Sequence, residues 1–321
     1  MPKILISENV AGPAINALRA AHEVVYDPQL WKSPELLKAA VVDAGALIIR
    51  NQTKVTGELL AASPQLKIVA RAGVGIDNID VAAASASGVV VSYTPAANAV
   101  SVAELAIGLM LALARNIPAA DADTRAGGWN RQRYMGTELA GKTLGVVGFG
   151  RIGQMTAERA RAFEMKIVAA DAWLKPDSPA LTRLGATLLS LEALLAEADV
   201  VTLHVPLTPE TNGLIGAPQL AAMKPSAVLI NTSRGEVVDE PALLTALESR
   251  QIAGAALDVR RTEPPGPSLF DQMANVVVLP HLGAFTFEAQ ERVVEALSRD
   301  VRLVLAGSPA IEYFNFSMPR R

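Results

Sequence analysis

The feature that most constrains this chain is a glycine-rich sequence, G-x-G-x-x-G at residues 148–153, between a strand-like and a helix-like segment. Residues 144–147 are apolar and predict a buried strand, and residues 152–163 have the spacing of a helix. Residues 166–170 predict a second strand that ends at Asp171. This strand–loop–helix–strand order is typical of one half of a doubly wound α/β domain that binds a dinucleotide.

Each glycine of this loop has its own role in holding a dinucleotide. Gly148 permits the tight turn, Gly150 lets the backbone approach a pyrophosphate, and Gly153 lets the helix pack closely on the strand. The pyrophosphate then lies at the positive end of the helix. Asp171, 18 residues past Gly153, accepts hydrogen bonds from a ribose diol and would repel a 2′-phosphate. The pattern therefore predicts NAD rather than NADP as the cofactor.

Composition excludes several classes of function. A length of 321 residues suggests about two domains, and half of the residues are hydrophobic, which indicates a folded protein. The net charge of −3 provides no basic field for nucleic acid. The chain has no cysteine, which rules out disulfides and thiolate zinc sites. We predict no nucleic-acid partner and no metal site.

Two apolar segments were compared with the patterns of a signal peptide and of a membrane-spanning helix. Residues 1–6 form a short strand-like run, which does not have the pattern of a signal peptide. The most apolar helix, residues 105–114, is bounded by Glu104 and Arg115 and is too short to span a bilayer. We therefore expect a cytoplasmic protein that does not associate with a membrane.

Short apolar runs alternate with helix-like segments along most of the chain, and this alternation predicts parallel sheets. The expected fold class is α/β, with two Rossmann-like, doubly wound parallel-sheet domains, of which the substrate domain is discontinuous. The predicted strands outside the glycine-loop unit are residues 3–7, 23–26, 46–49, 66–70, 199–204, 227–231, 252–257 and 276–279. The clearest predicted helices are residues 11–21, 191–197, 219–223, 240–249 and 288–306.

The end of the chain indicates how the domains are divided. Tyr313 and Phe314 follow the last helix and have no place in the nucleotide domain, so we expect them to return to the first domain. Residues 1–98 with 288–321 are predicted to form a flavodoxin-like substrate domain, and residues 99–287 an NAD-binding Rossmann domain.

A long helix is predicted to begin near Ser101 and to cross from the first domain to the second. Ser101 and Glu104 have the spacing of a capping box. The helix is apolar on nearly all sides, so it belongs to the core or to a contact between subunits. The second possibility favours a homodimer or larger assembly.

Cationic groups follow two predicted strands of the first domain. Arg50 and Asn51 follow one strand, and Arg71 follows another, ahead of Gly73 and Gly75. Ligands bind at the carboxyl ends of strands in open α/β sheets, and exposed N–H groups of a glycine turn would suit an anion. A plain turn with solvated arginines fits the same spacing. The cationic, aromatic loop at 127–135 is likewise either a surface loop or part of an anion site.

Three consecutive strand ends of the second domain carry ionisable groups, namely Arg234, Glu263 and His281. Consecutive βα units place such loops along one edge of the sheet, beside the cofactor. Arginine binds a carboxylate through two hydrogen bonds, and histidine exchanges a proton near neutral pH. A glutamate holds the second imidazole nitrogen and favours the cation. A glutamate before two prolines is also compatible with a plain loop end.

The other two histidines are weaker candidates. His22 lies near a predicted helix end, which indicates a structural or surface role. His204 ends a strand before Val205 and Pro206, and it competes with His281 for a functional role. His281 is preferred because a carboxylate-bearing loop adjoins it.

At these residues the chain resembles the D-isomer-specific 2-hydroxyacid dehydrogenase family over essentially its whole length. The motifs that carry the resemblance are residues 148–153 with Asp171, residues 231–235, residues 258–264 and residues 280–283. The resemblance implies that Arg234, Glu263 and His281 are catalytic. The cofactor contacts that it implies are Gly148, Gly150, Arg151, Ile152, Gly153, Asp171, Val205, Pro206, Thr232, Ser233, Asp258, Gly283 and Ala284.

Within that family the chain is most similar to the D-3-phosphoglycerate dehydrogenases, through residues 48–56, 71–78 and 134–139. The implied reaction oxidises D-3-phosphoglycerate with NAD to 3-phosphohydroxypyruvate, the first step of serine biosynthesis. The implied partner is a small anionic 2-hydroxy or 2-keto acid between the domains of a homodimer or homotetramer. The implied substrate contacts are Arg50, Arg71, Val74, Gly75, Asn98 and Arg131, the last acting from a neighbouring subunit.

The chain departs from the family at positions that border the site. Arg260 and Arg261 follow Asp-Val where an aromatic residue is usual, and Phe285 stands where a small residue is usual. These positions bear on the identity of the substrate. The chain also ends near the first domain, so a short form without a regulatory extension is expected.

Two alternatives remain open. A glyoxylate/hydroxypyruvate reductase, or another 2-keto acid reductase, would use the same Arg-Glu-His set. An NADH-sensing interaction protein, similar to the C-terminal-binding corepressors, would use the same scaffold without turnover.

Overall fold

Two parallel sheets organise the chain in a computed structural model that describes residues 2–320. The strands are β1 Lys3–Ile6, β2 Glu23–Tyr26, β3 Ala44–Ile49, β4 Ile68–Arg71, β5 Val90–Ser92, β6 Thr143–Val147, β7 Lys166–Ala170, β8 Ala186–Leu188, β9 Val200–Leu203, β10 Val228–Asn231, β11 Gly254–Leu257 and β12 Val276–Val278. The α-helices are α1 Pro13–Arg19, α2 Pro34–Ala40, α3 Gly57–Ala61, α4 Val81–Ala86, α5 Ala99–Ala114, α6 Ile117–Arg125, α7 Arg151–Arg161, α8 Pro179–Leu184, α9 Leu191–Glu197, α10 Ala217–Ala222, α11 Glu240–Glu248 and α12 Phe287–Leu305. The predicted α/β fold class with two parallel-sheet domains is confirmed.

The chain separates into two compact units, which we call unit 1 (Met1–Asn98 with Ala284–Arg321) and unit 2 (Ala99–Gly283). The sequence-based division placed the second boundary at residue 288, four residues later than the start of the second segment of unit 1.

Unit 1 is built on the five-stranded sheet, in the order β2-β1-β3-β4-β5. Successive side chains of a strand point to opposite faces, so Ile4 and Ile6 join one buried cluster while Leu5 joins another. The first cluster is completed by α12, which contributes Val293, Leu297, Val301 and Val304. The sheet is therefore buried on both faces, as parallel sheets are.

Unit 2 is built on the seven-stranded sheet, in the order β12-β11-β10-β9-β6-β7-β8. The direction of winding reverses between β6 and β9, and ligands of open α/β sheets bind at this kind of switch point. The glycine-rich loop leaves β6 at that point. Buried side chains on both faces form two separate clusters. Helix α5 packs on α7 and over β10 and β11, which accounts for its apolar sequence.

The last residues of the chain are tied to unit 1 by one buried carboxylate. Asp300 is fully buried and accepts hydrogen bonds from the Ser92 hydroxyl at 3.1 Å and from the backbone N–H groups of Ile311 and Glu312. Arg299 Nε also donates to this carboxylate at 3.1 Å. The tail then pairs with β5, where the N–H of Phe314 donates to the carbonyl of Val91.

The predicted capping box at Ser101 was wrong. Helix α5 begins at Ala99, so Ser101 lies inside the first turn and is buried. The short strands β5 and β8 were not predicted. In residues 2–320 no single helix is long and apolar enough to cross a membrane; the bent pair α5 and α6 passes that test jointly, on length and composition alone.

We expect Asp300→Ala to lower the free energy of unfolding by about 3 kcal/mol, because it leaves buried donors without an acceptor. Urea unfolding followed by circular dichroism measures the change. The matched control is Asp177→Ala at an exposed aspartate, which should leave the midpoint unchanged. Equal midpoints for both variants would contradict the role of Asp300.

Candidate active site

Three neighbouring strands of unit 2 end in the groups selected from the sequence. Arg234 follows β10, Glu263 lies on the loop after β11, and His281 follows β12. These strands are adjacent in the sheet and parallel, so their carboxyl ends share one edge. The side chains therefore lie on neighbouring loops although the residues are far apart in sequence.

The central contact is a hydrogen bond between the imidazole and the carboxylate. His281 Nδ1 lies 2.7 Å from Glu263 Oε2, and both side chains are partly buried. His281 has a left-handed backbone, with φ of 57°, which is uncommon for a residue other than glycine. A strained backbone of this kind persists only where the surroundings hold it in place.

Asp258 holds the backbone around His281. Its carbonyl accepts the N–H of His281 at 2.8 Å, and its two carboxylate oxygens accept the N–H groups of Leu282 at 2.6 Å and Gly283 at 2.8 Å. The side chain is almost fully buried, and burial raises the pKa of Asp258 above its ordinary value. Asp258 was predicted to contact the cofactor, and in the structure its carboxylate supports the histidine loop.

The second oxygen of Glu263 is also held. Oε1 accepts the backbone N–H of Arg260 at 3.1 Å. Burial alone would raise the pKa of Glu263, but the hydrogen bond to His281, the N–H of Arg260 and the charge of Arg234 together hold it below its ordinary value. The carboxylate therefore remains ionised and accepts a hydrogen bond from Nδ1–H.

The loop that carries Arg234 packs directly against the loop that carries Glu263. A β-carbon on Gly235 would lie 2.0 Å from the carbonyl carbon of Arg260, so only glycine fits there. Asn231 shapes the turn by donating to the carbonyl of Arg234 at 2.8 Å and accepting the N–H of Ser233 at 3.0 Å. The guanidinium of Arg234 donates to the carbonyl of Ser233 at 2.8 Å.

The glycine-rich loop has the space that a pyrophosphate requires. Gly148 has φ of 89°, and a β-carbon on Gly153 would lie 2.2 Å from the carbonyl oxygen of Gly148. A β-carbon on Gly150 meets nothing within 4 Å. Gly150 is the N-cap of α7, which begins with Arg151 and Ile152 and has no side-chain cap. An anion therefore finds open space and uncapped N–H groups.

Asp171 lies at the end of β7, next to this loop, and helps to shape it. One carboxylate oxygen accepts the N–H of Phe149 at 2.7 Å, and the other accepts the N–H groups of Trp173 at 2.8 Å and Leu174 at 3.1 Å. Carboxylate oxygens have about four acceptor positions, so one remains for a ribose hydroxyl. Thr232, also predicted to contact the cofactor, has a buried hydroxyl oxygen without a partner in residues 2–320.

His204 lies behind the glycine loop. A β-carbon on Gly148 would lie 2.8 Å from the backbone carbonyl of His204 and 2.9 Å from a side-chain carbon of Val205, the next residue toward Pro206. The imidazole Nε2 shares a hydrogen bond of 3.1 Å with the Thr202 hydroxyl. Burial lowers the pKa of His204 to about 3, so this histidine stays neutral and is unsuited to proton transfer near neutral pH.

The substrate residues predicted for unit 1 occupy different environments. Glu8, buried at the end of β1, accepts the N–H groups of Arg50, Gln52 and Thr53 and fixes the backbone at Arg50. The Arg50 guanidinium carbon lies 4.4 Å from the ring centroid of Phe285, and burial lowers the pKa of Arg50. An aromatic ring on one face favours the guanidinium cation.

Arg71 and Asn98 both have buried polar atoms in their side chains. The guanidinium of Arg71 is buried and curls against Gly73, with a hydrogen bond of 3.2 Å to the carbonyl of Ala72. Asn98 Oδ1 is buried and has no partner in the described part of the chain. Val74 and Gly75 lie on the turn after Gly73 and are partly buried.

Two further predicted residues are described by their own local contacts. Arg131 is exposed in a short 3₁₀-helix, Arg131–Tyr134, of unit 2. Ala284 begins the second segment of unit 1, and its carbonyl accepts the side-chain amide of Gln290 at 2.6 Å. In residues 2–320 no group of three histidine, aspartate or glutamate side chains is arranged to hold a metal ion.

Comparison with known proteins identifies the family. Residues 107–283 match the model of the D-isomer specific 2-hydroxyacid dehydrogenase, NAD binding domain. The chain belongs to the D-isomer-specific 2-hydroxyacid dehydrogenase family. It is 48% identical over 309 residues to D-3-phosphoglycerate dehydrogenase of Mycobacterium tuberculosis H37Rv, which covers 96% of this chain and 57% of that protein. The chain thus spans little more than half the length of the curated relatives that it matches.

Solved structures agree with this family. A protein from Thermus thermophilus has a TM-score of 0.91 and 37% identity, covering 97% of this chain and 99% of that one. A glyoxylate reductase from Paecilomyes thermophila has a TM-score of 0.88 and 31% identity, covering 97% of this chain and 98% of that one. Family membership and the parallel α/β fold are therefore shown.

The glycine loop can be tested directly as a site for a dinucleotide. We expect Gly150→Ala to keep the wild-type thermal midpoint, because a β-carbon there has open space, but to weaken NADH binding by about tenfold or more. Gly153→Ala should lower both the thermal midpoint and the affinity for NADH, because its β-carbon collides with Gly148. Energy transfer from tryptophan to NADH measures affinity. Gly108→Ala on α5, also in open space, is the control, and a loss of affinity there would contradict the assignment.

His204 gives a test of pH dependence. The unfolded state binds a proton below pH 6.5 but the folded state only near 3, so the stability from His204 is complete above pH 6.5 and is lost as the pH falls. Between about pH 7 and pH 5 the wild type should lose about 1 kcal/mol more unfolding free energy than His204→Gln, since partial exposure reduces the effect. Urea unfolding at both pH values measures this, and parallel pH dependence of the two proteins would contradict it.

Proposed function

We propose that this protein is an NAD-dependent D-2-hydroxyacid dehydrogenase whose substrate is D-3-phosphoglycerate. The observation that carries the proposal is the hydrogen bond of 2.7 Å between Glu263 and His281, on the sheet edge that also carries Arg234. A glycine-rich dinucleotide loop lies in the same unit. Acid–base and carboxylate-binding groups beside a cofactor loop are what this oxidation requires.

The residues of unit 2 fit NAD. The open space at Gly150, the uncapped start of α7 and the unpartnered hydroxyl of Thr232 would receive the pyrophosphate and its neighbours. Asp171 would accept from the ribose diol and disfavour a 2′-phosphate. When bound, NAD supplies the hydride acceptor for oxidation at C2 and the donor for reduction. The remaining proposed cofactor contacts are Ser233, Val205, Pro206, Gly283 and Ala284.

His281 is the proposed acid–base group. Because the ionised Glu263 accepts from Nδ1–H, the other nitrogen, Nε2, carries the lone pair. Nε2 takes the proton of the C2 hydroxyl in oxidation and returns it in reduction. Glu263 keeps the ring in this tautomer and orientation, and it stabilises the imidazolium once the proton has moved.

Arg234 is the proposed carboxylate ligand. A planar guanidinium matches the two oxygens of a substrate carboxylate, which fixes C2 relative to the acid–base group. In unit 1, which we propose as the substrate domain, Val74 and Gly75 would act as backbone donors and Asn98 as a further polar contact. Arg131 is proposed to act from a second subunit.

The preference for a phosphorylated substrate rests on Arg50 and on the relatives. Arg50 has its backbone fixed by Glu8 and one guanidinium face covered by Phe285, so the guanidinium edge is a fixed anion ligand. Arg71 is proposed as a second cation for the substrate. D-3-phosphoglycerate carries both a carboxylate and a phosphate. This reaction would be the first step of serine biosynthesis.

Assembly and location are part of the same proposal. Trp129 and Met135 are strongly exposed apolar side chains on the loops near Arg131. Aromatic and methionine side chains are enriched in protein–protein interfaces. We propose a cytoplasmic homodimer or homotetramer that acts on a small anionic acid and on neither nucleic acid nor membrane.

Reduction of 2-keto acids with NADH tests the activity. The wild type should turn over 3-phosphohydroxypyruvate with the highest kcat/KM in a panel that includes hydroxypyruvate and glyoxylate. A preference for glyoxylate would indicate that the protein is instead a glyoxylate/hydroxypyruvate reductase. The similarity to the glyoxylate reductase from Paecilomyes thermophila supports this alternative. No turnover of any acid would favour an NADH-sensing interaction protein.

In the same assay His281→Ala should lower kcat by about 100- to 10,000-fold, because the proton donor is lost. Arg234→Ala should lower kcat and also raise KM for the keto acid, because carboxylate binding is lost. His22→Gln, on unit 1, is the matched histidine control and should match the wild type. Unchanged turnover in His281→Ala would rule out the proposed mechanism.

A further inference from the structure

We propose that Arg260, paired with Glu240, is a positioning residue that holds Glu263 in line with His281. The inference rests on the proposed function, because it assigns a task to the Glu263–His281 pair. It concerns the first of the two arginines that follow Asp258 and Val259. Four contacts within unit 2 support it.

The side chain of Arg260 is enclosed, and its Nε and Nη2 groups both have partners. It is 8% exposed, and its Nε and Nη2 donate to the two carboxylate oxygens of Glu240 at 3.0 and 3.1 Å. Nη2 also lies 3.3 Å from the Ser268 hydroxyl, and the guanidinium carbon lies 4.8 Å from the ring centroid of Phe270. A two-point pair of this kind fixes orientation as well as distance.

Glu240 is itself a rigid anchor. It is the first residue of α11, where an acidic side chain is favoured by the helix dipole. One of its oxygens also accepts the backbone N–H of Arg261 at 2.7 Å. Burial alone would raise the pKa of Glu240, but the bonds from Arg260 and Arg261 hold it below its ordinary value. Glu240 therefore binds the side chain of Arg260 and the backbone N–H of Arg261.

The backbone segment that Glu240 holds also contacts the carboxylate of Glu263. The N–H of Arg260 donates to Glu263 Oε1 at 3.1 Å, while Oε2 contacts His281 Nδ1 at 2.7 Å. Both oxygens are thereby fixed, one by the backbone and one by the imidazole. Gly235 packs on the backbone carbonyl of Arg260, which leaves little room for this segment to shift.

A phenylalanine at position 260 would have no group that donates to the Glu240 carboxylate. The guanidinium of Arg260 is directed to Glu240, so its positive charge is paired with a carboxylate inside the protein. The ion pair between helix α11 and the loop after β11 therefore sets the orientation of Glu263 in this chain.

The experiment compares Arg260→Met, Arg260→Lys and Glu240→Gln with the wild type. Arg260→Met should lower kcat for keto-acid reduction by about tenfold, with KM for NADH and for the keto acid within about twofold of the wild type. A carboxylate that is less well held favours the imidazolium less, so the alkaline limb of the reduction profile should move to lower pH. Arg260→Lys keeps the charge and one hydrogen bond and should recover part of kcat.

A readout in the protein without substrate or cofactor separates this inference from the proposed function. The wild type should show a downfield, slowly exchanging imidazole N–H proton in its nuclear magnetic resonance spectrum, assigned by its absence in His281→Ala. The sequence contains three histidines, so few imidazole N–H signals have to be told apart. In Arg260→Met and Glu240→Gln this signal should broaden or move upfield. If the wild type turns over no keto acid, the proposed function fails while this signal still tests the positioning role.

The matched control is Arg302→Ala, which removes an exposed guanidinium on α12 of unit 1. It should keep kcat, the pH profile and the N–H signal. Arg260→Met combined with Glu240→Gln should be no worse than either variant alone, since the two residues act as one unit.

The inference is overturned if Arg260→Met retains the wild-type kcat, pH limb and N–H signal. It is also overturned if kcat falls while the pH limb and the signal stay in place, because that result indicates packing alone. Should Arg260→Met fold poorly, Glu240→Gln and Arg260→Lys decide by the same criteria.

Discussion

The hydrogen bond between Glu263 and His281 is the interaction on which the site depends. It joins two loops that leave neighbouring strands, and each partner is held from behind by other groups. Asp258 fixes the left-handed backbone at His281 through three hydrogen bonds to the segment His281–Gly283. The backbone at Arg260 fixes the other carboxylate oxygen of Glu263. An imidazole restrained in this way would need little reorganisation in the proposed proton transfer.

Most of the fold was predictable because its determinants are local. The glycine loop, the apolar strand runs and the helical spacing each act within a few residues, and these elements lie where the sequence indicated. The failures were local as well. Strand β8 has three residues and a partly exposed pattern, which is too short for a periodic signal. Ser101 and Glu104 have capping-box spacing, but tertiary packing extends α5 by another two residues, to Ala99.

The candidate site was predictable only to the extent that topology determines it. Parallel strands bring their carboxyl ends together, so Arg234, Glu263 and His281 were placed on one edge from their positions after strands. The contacts that support this edge of the sheet could not be predicted from the sequence. Arg260 meets Glu240 across 20 residues of sequence, and no spacing rule for helices or strands pairs them. The ring of Phe285 covers the guanidinium of Arg50, and these two residues are still further apart in sequence. Such contacts depend on the course of individual loops.

The division of unit 1 into two segments has a consequence for biosynthesis. Helix α12 covers the face of the first sheet that carries Ile4, Ile6 and Ile68, yet its residues, Phe287–Leu305, follow the whole of unit 2. On the ribosome, the early strands emerge long before the helix that shields them, and unit 2 is complete first. Until α12 has emerged, that apolar face of the first sheet has no cover from the helix, and exposed apolar surface of this kind is prone to aggregation.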